Sequence, residues 1–262
     1  MTTQGIQEWK VPVTGTYKIR AAGAKGGNSS DDLKGGKGID LSITTKLSKG
    51  ELIKILVGQT GISANANKPS DGTGGGGGTF VVRDIKTPII VAGGGGASSN
   101  IVAWNYNGDK NGGNGTQTTK GGGGGRGNQS NMIAKPGIDG NGASTSNETI
   151  GIGVGCPGGG LLSNGIFFNT SQPVGIAFVN GGLGGGNTGG FGGGGGGYPD
   201  YRFTGGGGYS GGAGAISDGN STGFPFYTAG GGGSYSITGN YDSVSVNNND
   251  NGFVVITLIS LD

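Results

Sequence analysis

GGGGGTFVVRDIKTPIIVAGGGG, residues 74–96, places two short segments rich in β-branched residues between two uninterrupted glycine runs. Residues 80–83 and 89–92 read as a pair of strands flanking 84–88, whereas the glycine runs offer no side chains at all. Further runs stand at 121–125, 192–197, 205–208 and 230–233, and seventy of the 262 residues are glycine. Glycine loses more backbone entropy on folding than any other residue, so a run is either a flexible tether or an element held by backbone contacts alone. A Gly, Ser and Asn composition is ordinarily that of a flexible coil. The expectation here is order. Collagen is excluded, because glycine comes in blocks rather than at every third position and prolines number only eight. What remains is an extended left-handed helix with three residues per turn, a rise of about 3.1 Å and no internal hydrogen bonds. Its N–H and C=O groups need partners on neighbouring helices, and glycine alone lets backbones come that close.

Outside the runs the pattern has period two. Trp9, Val11 and Val13, then Tyr17, Ile19 and Ala21, alternate around a turn at Thr14-Gly15. Residues 39–45 alternate again, 51–57 form a more apolar strand, and 253–259 follow the turn cluster at 247–252. No segment has helical periodicity. The expected fold is all-β, a single glycine-rich module over 1–262 with strands mainly in 6–97 and 252–260. The glycine lattice is placed mainly in 98–240, with runs at 74–78 and 93–96.

Motifs in this order carry a resemblance: VPVTGTYKIRAAGAKGG (11–27), ILVGQTG (55–61), GGGGGTFVV (74–82), PIIVAGGGGA (88–97), CPGGG (156–160), FGGGGGG (191–197), TGGGGYSGG (204–212), GGGGSY (230–235) and GFVVIT (252–257). They resemble the glycine-rich module of the extracellular parts of anaplastic lymphoma kinase and leukocyte tyrosine kinase. The resemblance implies a β-sandwich of tumour-necrosis-factor-like form supporting a bundle of polyglycine II helices. It extends along nearly the whole chain. The kinases continue into a membrane-spanning helix, whereas the apolar ending here is far shorter than the about 20 residues a bilayer requires. MTTQGIQEWK, residues 1–10, has no apolar signal region. The receptors use several cysteines, while Cys156 is alone and has no internal disulfide partner, which fits a reducing compartment. A virion surface protein, made in the cytoplasm and assembled into a capsid, fibre or tail, is the expected setting. An extracellular ligand-binding or adhesion module related to the receptor ectodomains is the alternative.

Composition narrows the chemistry. There is no histidine, which removes the usual general base and every Ser-His or Cys-His arrangement. One cysteine makes no thiolate cluster, and the acidic residues are scattered, Asp31 with Asp32 reading as a solvated loop. G-x-G-x-x-G matches carry no information in so glycine-rich a chain, and G-K-[ST] is absent. Neither enzymatic activity nor a cofactor is expected. A net charge of +2 and a lone GGGGGRG at Arg126 argue against nucleic-acid binding. The turns NNNDNG (247–252) and DGNG (139–142) offer calcium-type oxygen ligands, but turn chemistry alone accounts for them. Six Asn-x-Ser/Thr sequons, at Asn28, Asn114, Asn128, Asn147, Asn169 and Asn220, match chance in this composition.

Aromatic placement points to a binding surface. Ten of the nineteen aromatics fall in residues 191–241. Phe191, Tyr209 and Tyr235 directly abut glycine runs and are expected to cap them. Tyr198, Tyr201, Phe203, Phe224, Phe226 and Tyr227, with Trp104 and Tyr106 in a second loop, are the candidate partner-binding residues. The expected partner is a protein or a cell-surface receptor or glycan, engaged by a homo-oligomer or larger assembly, with no membrane insertion.

Overall fold

The computed structural model describes residues 5–64, 72–84, 86–98, 111–123, 134–145, 155–168, 172–197, 204–214 and 228–262. Among them the elements are β1 (Gln7–Lys10), β2 (Gly15–Ala22), β3 (Gly38–Leu47), β4 (Leu52–Leu56), β5 (Thr79–Val82), β6 (Pro88–Ala92), β7 (Ala134–Lys135), β8 (Ser144–Thr145), β9 (Tyr235–Ser236), β10 (Ser243–Asn248) and β11 (Phe253–Leu261). The helical content among them is one 3-10 turn, Phe178–Asn180. A five-stranded sheet runs β1-β4-β5-β6-β9, a four-stranded sheet runs β10-β3-β2-β11, and β7 pairs with β8. The named pairings are antiparallel. The fold is all-β, consistent with a β-sandwich.

Alternation sorts the side chains into two cores. Tyr17, Ile19, Ala21, Ile39, Leu41 and Ile43 of the four-stranded sheet meet Ile53, Val81, Ile90 and Ala92 of the five-stranded sheet in one buried cluster. The other face of the five-stranded sheet presents Leu56, Phe80, Val82 and Val91 to Leu161, Phe178 and Phe191, residues of the glycine-rich segments. The five-stranded sheet is therefore a middle layer, packed on both sides. The outer face of the four-stranded sheet carries polar pairs: Arg20 Nε donates to Asp40 Oδ1 at 2.9 Å, and the Ser42 and Ser243 hydroxyls bond at 2.7 Å.

Trp9 and Tyr17 bracket the expected turn but lie in strands of different sheets, because β1 pairs with β4 and β2 with β3 and β11. Their rings still meet edge-to-face across the core, 5.9 Å between centroids. β10 is a strand that sequence reading missed. Its SVSVNN has no strong apolar face, and it is held by register with Ser42, Leu41 and Asp40.

Strand registers bring the glycine segments to one end of the sheets. Ala22 pairs with Asp40, Leu56 with Phe80, Thr79 with Ala92 and Val91 with Tyr235. Thus 23–27, 35–37, 58–61, 74–78, 93–96 and 230–234 all attach at that end. There they exchange backbone bonds across both sheets: Ile39 donates to Gly93 at 3.1 Å and Ala24 to Gly77 at 2.9 Å. The Thr79 hydroxyl, fully buried, accepts from the Gly58 N–H and donates to Ala22.

Within these segments donors three residues apart go to one neighbour. Gly74 and Gly77 donate to Ile62 and Gln59, Gly75 and Gly78 donate to Gly195 and Gly192, and Gly76 donates to Gly95. Gly94 and Ala97 donate to Gly207 and Thr204, while Gly206 and Tyr209 donate to Gly230 and Gly233. The acceptors are also spaced by three. A β ladder alternates by two, so these extended segments are not sheet strands. Gly207 shows why glycine is needed: it donates to Gly76, and a Cβ there would collide with the backbone of Gly192 and Gly193.

Candidate functional site

The glycine segments have two ends. One joins the strands; at the other, residues 72–73, 97–98, 197, 204, 214 and 229 flank segments whose own residues lie outside those described. These flanking residues are neighbours. Ala97 donates to Thr204 at 2.9 Å, Gly96 to Gly113 at 2.8 Å, and Gly113 to Ala229 at 2.7 Å. The backbone of Gly155 occupies the space a Cβ on Gly214 would need, and that of Gly72 and Thr73 does the same at Gly197.

Hydroxyls fasten this end. Thr73 Oγ1 donates to the Ser98 carbonyl at 2.7 Å, and Thr204 Oγ1 donates to the Thr73 carbonyl at 2.9 Å. Ser98 Oγ accepts from the Ser29 N–H at 2.8 Å and donates to Leu33 O at 2.8 Å. Thr73, Ser98 and Thr204 are all buried. Sequence reasoning passed over them, although each stands at the margin of a glycine run. Thr204→Val should lower stability by about 1–3 kcal/mol, since it leaves the buried Thr73 carbonyl without that donor. Thr204→Ser should restore most of the loss in a urea unfolding measurement.

All eight candidate partner-binding aromatics, Trp104, Tyr106, Tyr198, Tyr201, Phe203, Phe224, Phe226 and Tyr227, lie outside the described residues, as does Arg126. The described residues that flank their segments are Ser98 and Asn111, Gly197 and Thr204, and Gly214 and Thr228. The abutting aromatics are described. Phe191 is buried beside Phe178, and Tyr209 stacks on Tyr235 with centroids 4.8 Å apart. Burial first, then Tyr235 and Asp139, push the Tyr209 phenol above its ordinary range.

Lys25 lies next to this architecture, half-buried, with its N–H bonded to Asp250 O at 3.1 Å. Burial, and secondarily Lys34, hold its ammonium below the ordinary lysine range. The turn at 247–252 has its amides engaged within itself and with neighbouring segments: Asn248 Nδ2 donates to Gly23 O at 2.6 Å and Asn251 O at 2.9 Å, and Asn251 Oδ1 accepts from the Thr60 N–H at 2.8 Å. In the 139–142 turn Asp139 takes a left-handed φ of 52°. No three of His, Cys, Asp and Glu gather among the described residues. At two sequons the asparagine carbonyl oxygen is in use, Asn28 accepting from Gly35 at 2.9 Å and Asn114 from Lys37 at 2.8 Å. Asn128, Asn147, Asn169 and Asn220 lie outside the described residues.

Comparison with known proteins finds a likeness over part of the chain. The chain is 47% identical over 62 residues to leukocyte tyrosine kinase receptor of Mus musculus, a stretch that covers 23% of this chain and 7% of the receptor. No protein-family model matches the chain. Part of the chain is thus similar to one of the receptors its motifs resemble. No helix among the described residues is long and apolar enough to cross a membrane.

Proposed function

We propose that the chain is a non-enzymatic extracellular binding module, related to receptor ectodomains, whose glycine lattice holds recognition segments at a fixed distance from the sheets. The observation that carries this reading is the 62-residue likeness to leukocyte tyrosine kinase receptor. It favours the extracellular alternative over a virion surface, for which the comparison offers no support. Within this proposal the glycine segments are polyglycine II helices and the sheets are a tumour-necrosis-factor-like sandwich. The three-residue spacing of donors and acceptors supports the first point, since three residues complete one turn of such a helix. Described residues that border the three aromatic-bearing segments are neighbours, and a partner there would engage tyrosine both by area and by hydroxyl. The partner is a protein or a cell-surface glycan.

Labelled chain applied to intact cells and to a glycan array tests the reading. Tyr201→Ala and Tyr227→Ala should each weaken binding about tenfold, the loss of roughly 1.4 kcal/mol, with unchanged melting temperature. Lowered stability with unchanged binding would instead make these rings structural. Absence of any saturable binding by the wild-type chain would overturn the proposal.

A further inference from the structure

β11 is an outer strand of the four-stranded sheet, bonded to β2 on one side. Its sequence, FVVITLISL, contains no charge and no proline. Val255, Leu258, Ile259 and Leu261 are exposed, Leu261 at 68%. β proteins ordinarily guard such edges with charges, prolines, bulges or very short strands, because unpaired N–H and C=O groups invite another strand. The other edges show those guards. β1 carries Glu8 and Lys10, β9 is only 2 residues long, and β10, which exposes Val244 and Val246, has a register break between Ser245 and Asn248. β11 has only the irregularity between Leu258 and Ser260.

We propose that β11 is a self-association edge, pairing antiparallel with β11 of a second copy about a twofold axis. Twofold pairing sets the uncharged stretch against itself, matched in length and polarity. It also sets opposite charges at the two ends. Near Phe253 the Arg20 guanidinium lies 5.0 Å from the ring centroid, and although it is paired with Asp40 its side chain stays 51% exposed. At the other end the Asp262 carboxylate is at the surface, 3.0 Å from Lys46 Nζ. Antiparallel strands bring the Asp262 end of each copy to the Arg20 end of the other, so the complementarity occurs twice. The association is reversible and therefore concentration-dependent.

Sedimentation velocity of the whole chain over a range of concentrations tests this. The wild-type mass should rise from one copy to two. Val255→Lys and Ile259→Lys should each raise the dimer Kd at least tenfold with melting unchanged. Ile259 falls at the irregularity, outside the register with β2, so its variant keeps the test intact if Val255→Lys disturbs the sheet. A wild type that stays single at all concentrations, a closed trimer, or a dimer indifferent to both lysines would overturn the proposal.

Discussion

Gly76→Val should abolish soluble folding or remove more than about 4 kcal/mol of stability, a large part of the roughly 5–15 kcal/mol that holds a domain together. A Cβ on Gly76 would stand 2.6 Å from the carbonyl carbon of Lys25, closer than real Cβ contacts come, and also against the Ala24 carbonyl oxygen. Those atoms are backbone and cannot rotate away. Ala24 is itself fixed, donating to Gly77 and accepting from Gly95, both at 2.9 Å. Gly76 donates to Gly95 and accepts from Gly207, so pushing its segment aside would break bonds to two neighbours together. Gly194→Val should act the same way, its Cβ meeting the Gly75 carbonyl oxygen. Unchanged melting temperatures in both variants would contradict the packing of backbone on backbone.

Phe178→Ala should cost about 3–5 kcal/mol, the usual range for emptying a buried aromatic site. At about 2–4 °C per kcal/mol for a chain near this size, the melting temperature should fall by about 10 °C. Phe178 stacks on Phe80 with centroids 5.1 Å apart, and both rings are about 1% exposed. Phe80 belongs to β5, whereas Phe178 comes from a short turn closed by Gly181 at a φ of 102°. The pair therefore joins the middle sheet to the glycine-rich segments. Calorimetry should show one transition displaced as a whole. Separation into two transitions, with only one shifted, would mean that sheets and glycine segments fold independently.

These couplings explain what could be read from sequence. Tyr17, Ile19 and Ala21 alternate because one face of β2 meets the core, and the same cause opened β3 to a period-two reading, whereas β5 and β6, buried on both faces, were legible as runs of β-branched residues. β10 escaped it because its placement rests on backbone register and on a Ser42–Ser243 bond across 201 positions of sequence. The separation of β1 from β2 was hidden for the same reason, as alternation gives faces but not partners. The expectation that Phe191, Tyr209 and Tyr235 cap glycine runs came from their adjacency in sequence, whereas the stack of Tyr209 on Tyr235 joins residues 26 positions apart and was not legible. Nor were the hydroxyls of Thr73, Ser98 and Thr204, since Ser and Thr beside glycine read equally as loop. Which neighbour each glycine serves is set by tertiary position, and a run of identical residues contains no code for it.

Amide hydrogen exchange resolved along residues 74–78, 93–96 and 205–208 tests the lattice most directly. Ordered segments with their N–H groups bonded at 2.8–3.4 Å should exchange only in the global unfolding reaction, as slowly as Ile19 and Ile43 in the sheet core. Exchange of those glycine amides at the rate of an unstructured chain, while β2 and β3 remain protected, would contradict the account.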